Sequence, residues 1–226
     1  MKLPRAGLYA ITQTAGKPIP QILQEVAAAL RGGASVLQYR DKDPLDAYFL
    51  GGQLLELCRR FEVPLLINDD VELAVALGAD GVHLGRDDGD MAYARQRLGA
   101  KAIIGISCYN DVDKARRMQA EGADYVAFGR FFPSGSKPLA APAQIETLRQ
   151  ARAELTIPLV AIGGILPENG CQLLAAGADG NGVRCCTSCH EDYDEGCSDP
   201  CSVTVGGVVF SVCCPVSNAI NGEGVP

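Results

Sequence analysis

Gly78-Ala79-Asp80-Gly81-Val82-His83-Leu84 begins as a helix stop and runs straight into a short apolar strand. The same opening recurs at Gly122-Ala123-Asp124-Tyr125 and Gly177-Ala178-Asp179-Gly180, with a looser copy at Gly32-Gly33-Ala34-Ser35. Each copy follows a helix-like stretch, and an apolar run comes after the first three in chain order. A glycine in this place closes a helix in the left-handed conformation that other residues resist. Repetition of helix, glycine stop and strand implies alternating elements and therefore a parallel sheet.

Working outward, seven segments read as strands: 8–12, 34–40, 64–68, 81–84, 102–107, 125–128 and 158–162. Leu65-Leu66-Ile67 and Ala102-Ile103-Ile104 are continuous apolar runs, as expected of parallel strands covered on both faces. Helical spacing lies between them. Ile22, Val26, Ala29 and Leu30 share one face, and Leu50, Leu54, Leu57 and Cys58 share another. Seven strand-helix units, with an eighth due after Gly180, predict an α/β fold of the TIM type, a (β/α)8 barrel. A doubly wound sheet would want a glycine-rich phosphate loop after its first strand, and Thr12-Gln13-Thr14-Ala15-Gly16 is not GxGxxG.

The chain has 226 residues, 47% of them hydrophobic, which suits one large domain or two small ones, with a core that needs no staples. A net charge of −7 argues against nucleic acid as a partner. No apolar run is long enough to span a membrane, and the first residues do not form a signal peptide. A cytoplasmic location is the expectation. The sequence leaves a homo-oligomer open.

After Gly180 the composition changes abruptly. Residues 181–226 contain no Leu, Lys, Gln or Met, and one Arg stands against six acidic residues. Seven cysteines crowd between Cys185 and Cys214, while Cys58, Cys108 and Cys171 are scattered through the rest. The expected organisation is therefore a barrel domain over 1–180 and an atypical Cys-rich tail over 181–226. A shifted reading frame, a fusion scar and a divergent C-terminus all fit this tail. A strand pair around Gly206-Gly207 is its one regular feature. Cys186, Cys189, His190, Cys197 and Cys201 offer a zinc ion four ligands, although the pairs stand closer than in ordinary zinc modules. Disulfides and an unstructured segment are the other readings.

Chemistry-bearing residues gather where strands end. Asp69 and Asp88 follow the third and fourth strands, and a carboxylate from each suits one Mg²⁺ whose remaining ligands are diphosphate oxygens. Asp70 reads instead as the cap of a helix starting near Val71, and Asp87 as solvent-facing. Arg40 and Lys42 alternate with Tyr39 and Asp41, so both cations point one way, toward charge building on a leaving diphosphate. Gln38 and Asn68 are amides at strand ends, suited to hydrogen-bonding a substrate's polar atoms or buried backbone groups. Ser134-Gly135-Ser136-Lys137 offers hydroxyls, backbone N–H groups and a cation, a phosphate cradle on composition. His83 reads as a hydrogen-bonded structural histidine rather than a base.

Together these motifs resemble the thiamine phosphate synthase family. The resemblance is carried by Leu8-Tyr9-Ala10-Ile11-Thr12, Leu37-Gln38-Tyr39-Arg40-Asp41-Lys42, Leu66-Ile67-Asn68-Asp69-Asp70, Gly81-Val82-His83-Leu84-Gly85-Arg86-Asp87-Asp88, Gly105-Ile106-Ser107, Ser134-Gly135-Ser136-Lys137 and Ala161-Ile162-Gly163-Gly164-Ile165. It implies a TIM barrel that joins 4-amino-2-methyl-5-(diphosphomethyl)pyrimidine to a thiazole phosphate, with Mg²⁺, and releases diphosphate. It further implies that Ser107 and Lys137 contact the pyrimidine diphosphate. Ser134, Ser136 and the backbone at Gly164 would meet the thiazole phosphate. The diphosphate leaves first in that family, so Arg40, Lys42, Ser107 and Lys137 act by charge and position, with no strong base.

The chain departs from the family where an apolar eighth strand ending in a Val/Ile-Ser pair is expected. Asn181-Gly182-Val183-Arg184-Cys185-Cys186 follows instead. The expectation is that the eighth strand-helix unit is missing or replaced, which would leave two unpaired edges, lower stability and half a thiazole-phosphate site. Two alternative functions follow from the same residues. One is a thiazole tautomerase-like paralogue; the other is an inactive barrel carrying a Cys-rich metal-binding tail.

Overall fold

A computed structural model describes residues 3–4, 7–85, 91–133, 142–184, 202–205 and 208–211. Strands and helices alternate along the chain: β1 (Gly7–Ile11), α1 (Ile19–Arg31), β2 (Ala34–Tyr39), α2 (Ala47–Arg60), β3 (Leu65–Asn68), α3 (Val71–Leu77) and β4 (Gly81–Leu84). There follow α4 (Met91–Leu98), β5 (Ile103–Tyr109), α5 (Val112–Glu121), β6 (Tyr125–Gly129), α6 (Ile145–Glu154), β7 (Leu159–Ile162), α7 (Pro167–Ala175) and β8 (Gly180–Arg184). A hairpin of β9 (Ser202–Val205) and β10 (Val208–Ser211) comes last. All seven expected strands are present, and β1 to β8 close into a parallel barrel.

The expected gap in the barrel is corrected by β8. It pairs with β1 from Gly7↔Gly180 to Ile11↔Arg184, and with β7 from Val160↔Gly180 to Ile162↔Gly182. Parallel pairing is made by backbone N–H and C=O groups, which Gly180, Asn181 and Gly182 carry as any residue does. Two open edges, on β1 and β7, supply the template. The eighth unit is replaced in its helix: among the described residues no helix follows β8. Antiparallel β9 and β10 lie against α1 and α7, the two helices that flank β8's place in the ring.

The Gly-Ala-Asp repeat shows its purpose in three dimensions. Gly78, Gly122 and Gly177 take φ of 65°, 98° and 109°, ending their helices in the left-handed region. The aspartate that follows each one clasps the start of the preceding strand. Asp80 accepts from Leu65 N at 3.0 Å, Asp124 from Ile104 N at 2.8 Å and Asp179 from Leu159 N at 2.8 Å. Each aspartate also returns its own N–H to the same strand residue, at 3.0, 2.8 and 2.8 Å. Arg95 and Arg152 bind Asp124 and Asp179 in turn, both at 2.7 Å.

Two apolar layers result from the pleat. Leu37, Leu65, Ile67, Val82, Ile104, Val126 and Leu159 face outward and pack under helical residues such as Ile22, Val26, Leu50, Leu54 and Cys58. Tyr9, Ile11, Val36, Leu66, Ile103, Tyr125, Ala127 and Val160 fill the barrel interior. The tight packing holds the C-terminal strand ends rigid, and the charged side chains sit on those ends.

Candidate active site

Arg40, Asp41, Lys42, Asn68, Asp69 and Asp70 line one cleft of about 480 Å³ above β2 and β3. The strict alternation expected past Tyr39 lapses, because β2 ends there. Asp41 therefore joins Arg40 and Lys42 at the cleft, and its carboxylate accepts from Asp43 N at 3.2 Å. Thr12 fixes the entry to this loop. Its hydroxyl donates to Arg40 O at 2.9 Å and accepts from Arg40 N at 2.8 Å. Those two bonds stitch β1 to the strand end that carries the cations.

Gln38 sits 2% exposed beneath the cleft and donates from Nε2 to Asn68 Oδ1 at 3.0 Å. Asn68 passes the bond on, donating from Nδ2 to Asp69 Oδ2. Asp69 Oδ1 accepts from Gly85 N at 3.2 Å, and Asp69 N donates to His83 O at 2.9 Å. A chain of polar contacts thus runs from β2 through β3 to the loop after β4. It holds Asp69 at φ 66°, a left-handed backbone that aspartate tolerates better than most residues. Asp70 is the N-cap of α3, accepting from Leu73 N at 2.8 Å.

The cleft fits a divalent cation by donor chemistry. Asp69 offers a carboxylate held in a fixed orientation beside two cations that would bring a phosphate, and Mg²⁺ takes one or two carboxylates plus substrate oxygens. Among the described residues no group of three acidic, His or Cys side chains forms a complete protein cage. Asp88, the second expected ligand, lies outside the described residues. So do Asp87, Ser134, Ser136 and Lys137, along with Cys186, Cys189, His190, Cys197 and Cys201.

Ser107 and Gly164 stand at the same end of the barrel without lining this cleft. Ser107 is on β5, half-buried, and its carbonyl accepts from Lys114 Nζ at 2.8 Å. Gly164 follows β7 at φ 66°, and a Cβ there would come 2.4 Å from Pro133 O. The β7 loop therefore lies directly against the segment that leads into residues 134–137. Asn169 holds it, accepting from Leu166 N at 2.8 Å and donating to Gly164 O at 3.0 Å. Both ring nitrogens of His83 are engaged, as expected: Nδ1 lies 2.8 Å from Tyr125 Oη and Nε2 2.9 Å from Ser107 Oγ. Thr12, Tyr125 and Asn169 had no role in the sequence reading. A polar residue closing the first strand was the available sign for Thr12; the other two depend on contacts across the barrel.

Comparison with known proteins agrees with the fold and shows the family. The thiamine monophosphate synthase family model matches residues 8–184, which spans β1 to β8. The chain belongs to the thiamine monophosphate synthase family. It is 52% identical over 174 residues to the thiamine-phosphate synthase of Nitrosococcus oceani, covering 76% of this chain and 80% of that relative. The thiamine-phosphate synthase of Methylobacillus flagellatus is 53% identical over 178 residues, covering 78% and 84%. Among solved structures, thiamine phosphate pyrophosphorylase from Pyrococcus furiosus superposes with a TM-score of 0.73 at 34% identity, covering 83% of this chain and 90% of that one. Of the site residues named from sequence, the described ones, Gln38, Arg40, Lys42, Asn68, Asp69, Ser107 and Gly164, lie at or just past the C-terminal ends of β2, β3, β5 and β7. No helix among the described residues is long and apolar enough to cross a membrane.

Proposed function

We propose that this chain is a transferase that condenses 4-amino-2-methyl-5-(diphosphomethyl)pyrimidine with a thiazole phosphate, giving thiamine phosphate and diphosphate. The observation that carries the reading is the cleft that brings Arg40, Lys42, Asn68 and Asp69 together in a chain of this family. Arg40 and Lys42 place positive charge against the diphosphate. As the bond between the pyrimidine methylene carbon and oxygen breaks, its electron pair leaves with diphosphate, and charge grows where the two cations are. Ring resonance stabilises the pyrimidine methylene cation. The thiazole nitrogen lone pair then forms the new C–N bond, and no proton needs to be abstracted.

Gln38 and Asn68 orient the pyrimidine, Ser107 and Lys137 bind its diphosphate, and Ser134, Ser136 and Gly164 receive the thiazole phosphate. Asp69 and Asp88 would hold Mg²⁺, which when bound neutralises diphosphate oxygens. Precise placement of the two substrates supplies the remainder of the rate. The barrel over 1–180, completed by β8, does this work in the cytoplasm on small molecules. The Cys-rich tail adds no step. Light scattering on the purified chain reports whether it acts as a homo-oligomer.

The test incubates purified full-length chain with both substrates and Mg²⁺ and quantifies thiamine phosphate. Pyrimidine diphosphate binding is titrated with and without Mg²⁺. The expected result is turnover together with Mg²⁺-dependent binding. Thiazole isomerisation without condensation would point to a tautomerase, and failure to bind the pyrimidine diphosphate at all would sink the condensation reading.

A further inference from the structure

A line of hydrogen bonds crosses the barrel interior and ends on Ser107. Tyr9 Oη meets Tyr125 Oη at 2.6 Å, Tyr125 Oη meets His83 Nδ1 at 2.8 Å, and His83 Nε2 meets Ser107 Oγ at 2.9 Å. The first three residues are 4%, 0% and 7% exposed. The rings of His83 and Tyr125 stack at 5.6 Å, and those of Tyr9 and Tyr125 tilt at 5.7 Å, so none of the three turns freely. Gly105 makes the line continuous. It pairs with Tyr125 across the β5–β6 ladder, and a Cβ at 105 would stand 1.9 Å from the Tyr125 ring.

The protons on this line have a direction. Among the described residues the Tyr9 hydroxyl meets the Tyr125 hydroxyl alone. A buried O–H with no acceptor costs more than an oxygen lone pair with no donor, so Tyr9 donates to Tyr125. Tyr125 spends its own proton on His83 Nδ1. With Nδ1 accepting, the neutral imidazole carries its hydrogen on Nε2 and donates to Ser107 Oγ. An imidazolium would send two N–H donors outward, reverse the tyrosine pair and strand the Tyr9 proton. Ser107 Oγ is thereby filled on its inner side, and its own O–H is turned toward the strand ends.

We propose that His83, held as the Nε2–H tautomer by Tyr125 and Tyr9, is a positioning residue that makes Ser107 a fixed hydrogen-bond donor to the leaving diphosphate. This rests on the condensation reading above for what Ser107 meets. The tautomer itself rests on the barrel alone. A hydroxyl already oriented costs no reorganisation as negative charge develops on the leaving group.

Two measurements test it on the full chain. Imidazole nitrogen chemical shifts of isotope-labelled protein distinguish the two neutral tautomers and the imidazolium, with a His190→Gln background assigning the His83 signals. Nε2–H is expected near neutral pH; Nδ1–H or imidazolium overturns the proposal. A double-mutant cycle then pairs Tyr125→Phe with Ser107→Ala. Tyr125→Phe should lower kcat about tenfold, leave KM for the thiazole phosphate unchanged, and have no further effect once Ser107 is Ala. His83→Gln, whose amide reaches Ser107, should retain more kcat than His83→Leu. Additive losses in the cycle would leave His83 a packing residue and overturn the proposal. Absence of wild-type turnover would count against the condensation reading instead, and the tautomer measurement would still decide this one.

Discussion

Tyr125 occupies the volume that any side chain at Gly105 would need. The two residues are partners in the β5–β6 register, and an added Cβ at 105 would lie 1.9 Å from Cζ and 2.3 Å from the hydroxyl of Tyr125. Tyr125 is fully buried, so its ring has nowhere to retreat. Gly105→Ala is expected to lower stability by about 1–3 kcal/mol, as over-packed cores do. Chemical denaturation of the purified variant reads this directly. Because the displaced hydroxyl also meets His83, kcat should fall with it.

Asp124 carries the strand-clasping bond of the repeat and also binds Arg95. Asp124→Ala removes the acceptor for Ile104 N and leaves a strand N–H without its partner. A loss of about 1–3 kcal/mol is expected from that bond. Arg95→Ala removes the partly exposed ion pair, which is worth about 1 kcal/mol or less, together with the bonds its guanidinium gives to the carbonyls of Ala102 and Gly122 at 2.6 and 3.1 Å. A denaturant midpoint for Asp124→Ala equal to that of the parent chain would contradict the clasping role.

Asp69 lines the cleft together with Arg40 and Lys42. Asp69→Asn keeps the size of the side chain and removes its charge. Affinity for the pyrimidine diphosphate in the presence of Mg²⁺ should drop about ten- to a hundredfold, the scale of one charged hydrogen-bonding contact. Calorimetric titration with and without Mg²⁺ checks this. The stimulation by Mg²⁺ should shrink while the Mg²⁺-free affinity changes little.

Gly164 faces Pro133 O and Phe132 O at distances that leave no room for a Cβ, and its φ of 66° is strained for other residues. Gly164→Ala should push the β7 loop away from the segment leading to residues 134–137. The expected result is a several-fold rise in KM for the thiazole phosphate with affinity for the pyrimidine diphosphate retained. Steady-state kinetics with each substrate varied in turn separates the two.

Burial pushes the Cys58 and Cys108 thiols from 9.0 up to about 12. The neutral thiol is the form the folded protein prefers, so their contribution to stability is whole below about pH 9 and declines as pH rises toward 12. Stability measured along an alkaline series should fall in that window. At about pH 8, peptide mapping after iodoacetamide should find both residues modified only once the chain is unfolded.

The sequence by itself determined the alternation of helix and strand, because glycine stops and apolar spacing act within a few residues of one another. All seven of its strands stand in the barrel, and Asp70 caps α3 as read. Arg40, Lys42, Asn68 and Asp69 in the cleft were legible for the same reason, since polar side chains at a strand end are a local pattern; Asp41 was not, because β2 ends before the alternation reaches it. The eighth strand was not legible. Its Gly-Asn-Gly run lacks apolar periodicity, and its pairing depends on backbone edges supplied by β7 and by β1, the latter at the opposite end of the barrel sequence. The aspartates of the repeat carry no local sign of their role, because their carboxylates reach the backbone of Leu65, Ile104 and Leu159 on the preceding strands. Only the closed barrel brings Tyr9, His83, Ser107 and Tyr125 onto one line, since closure turns four separate strands toward a shared interior. Local spacing decided which residues carry the chemistry. Barrel closure decided which of them touch.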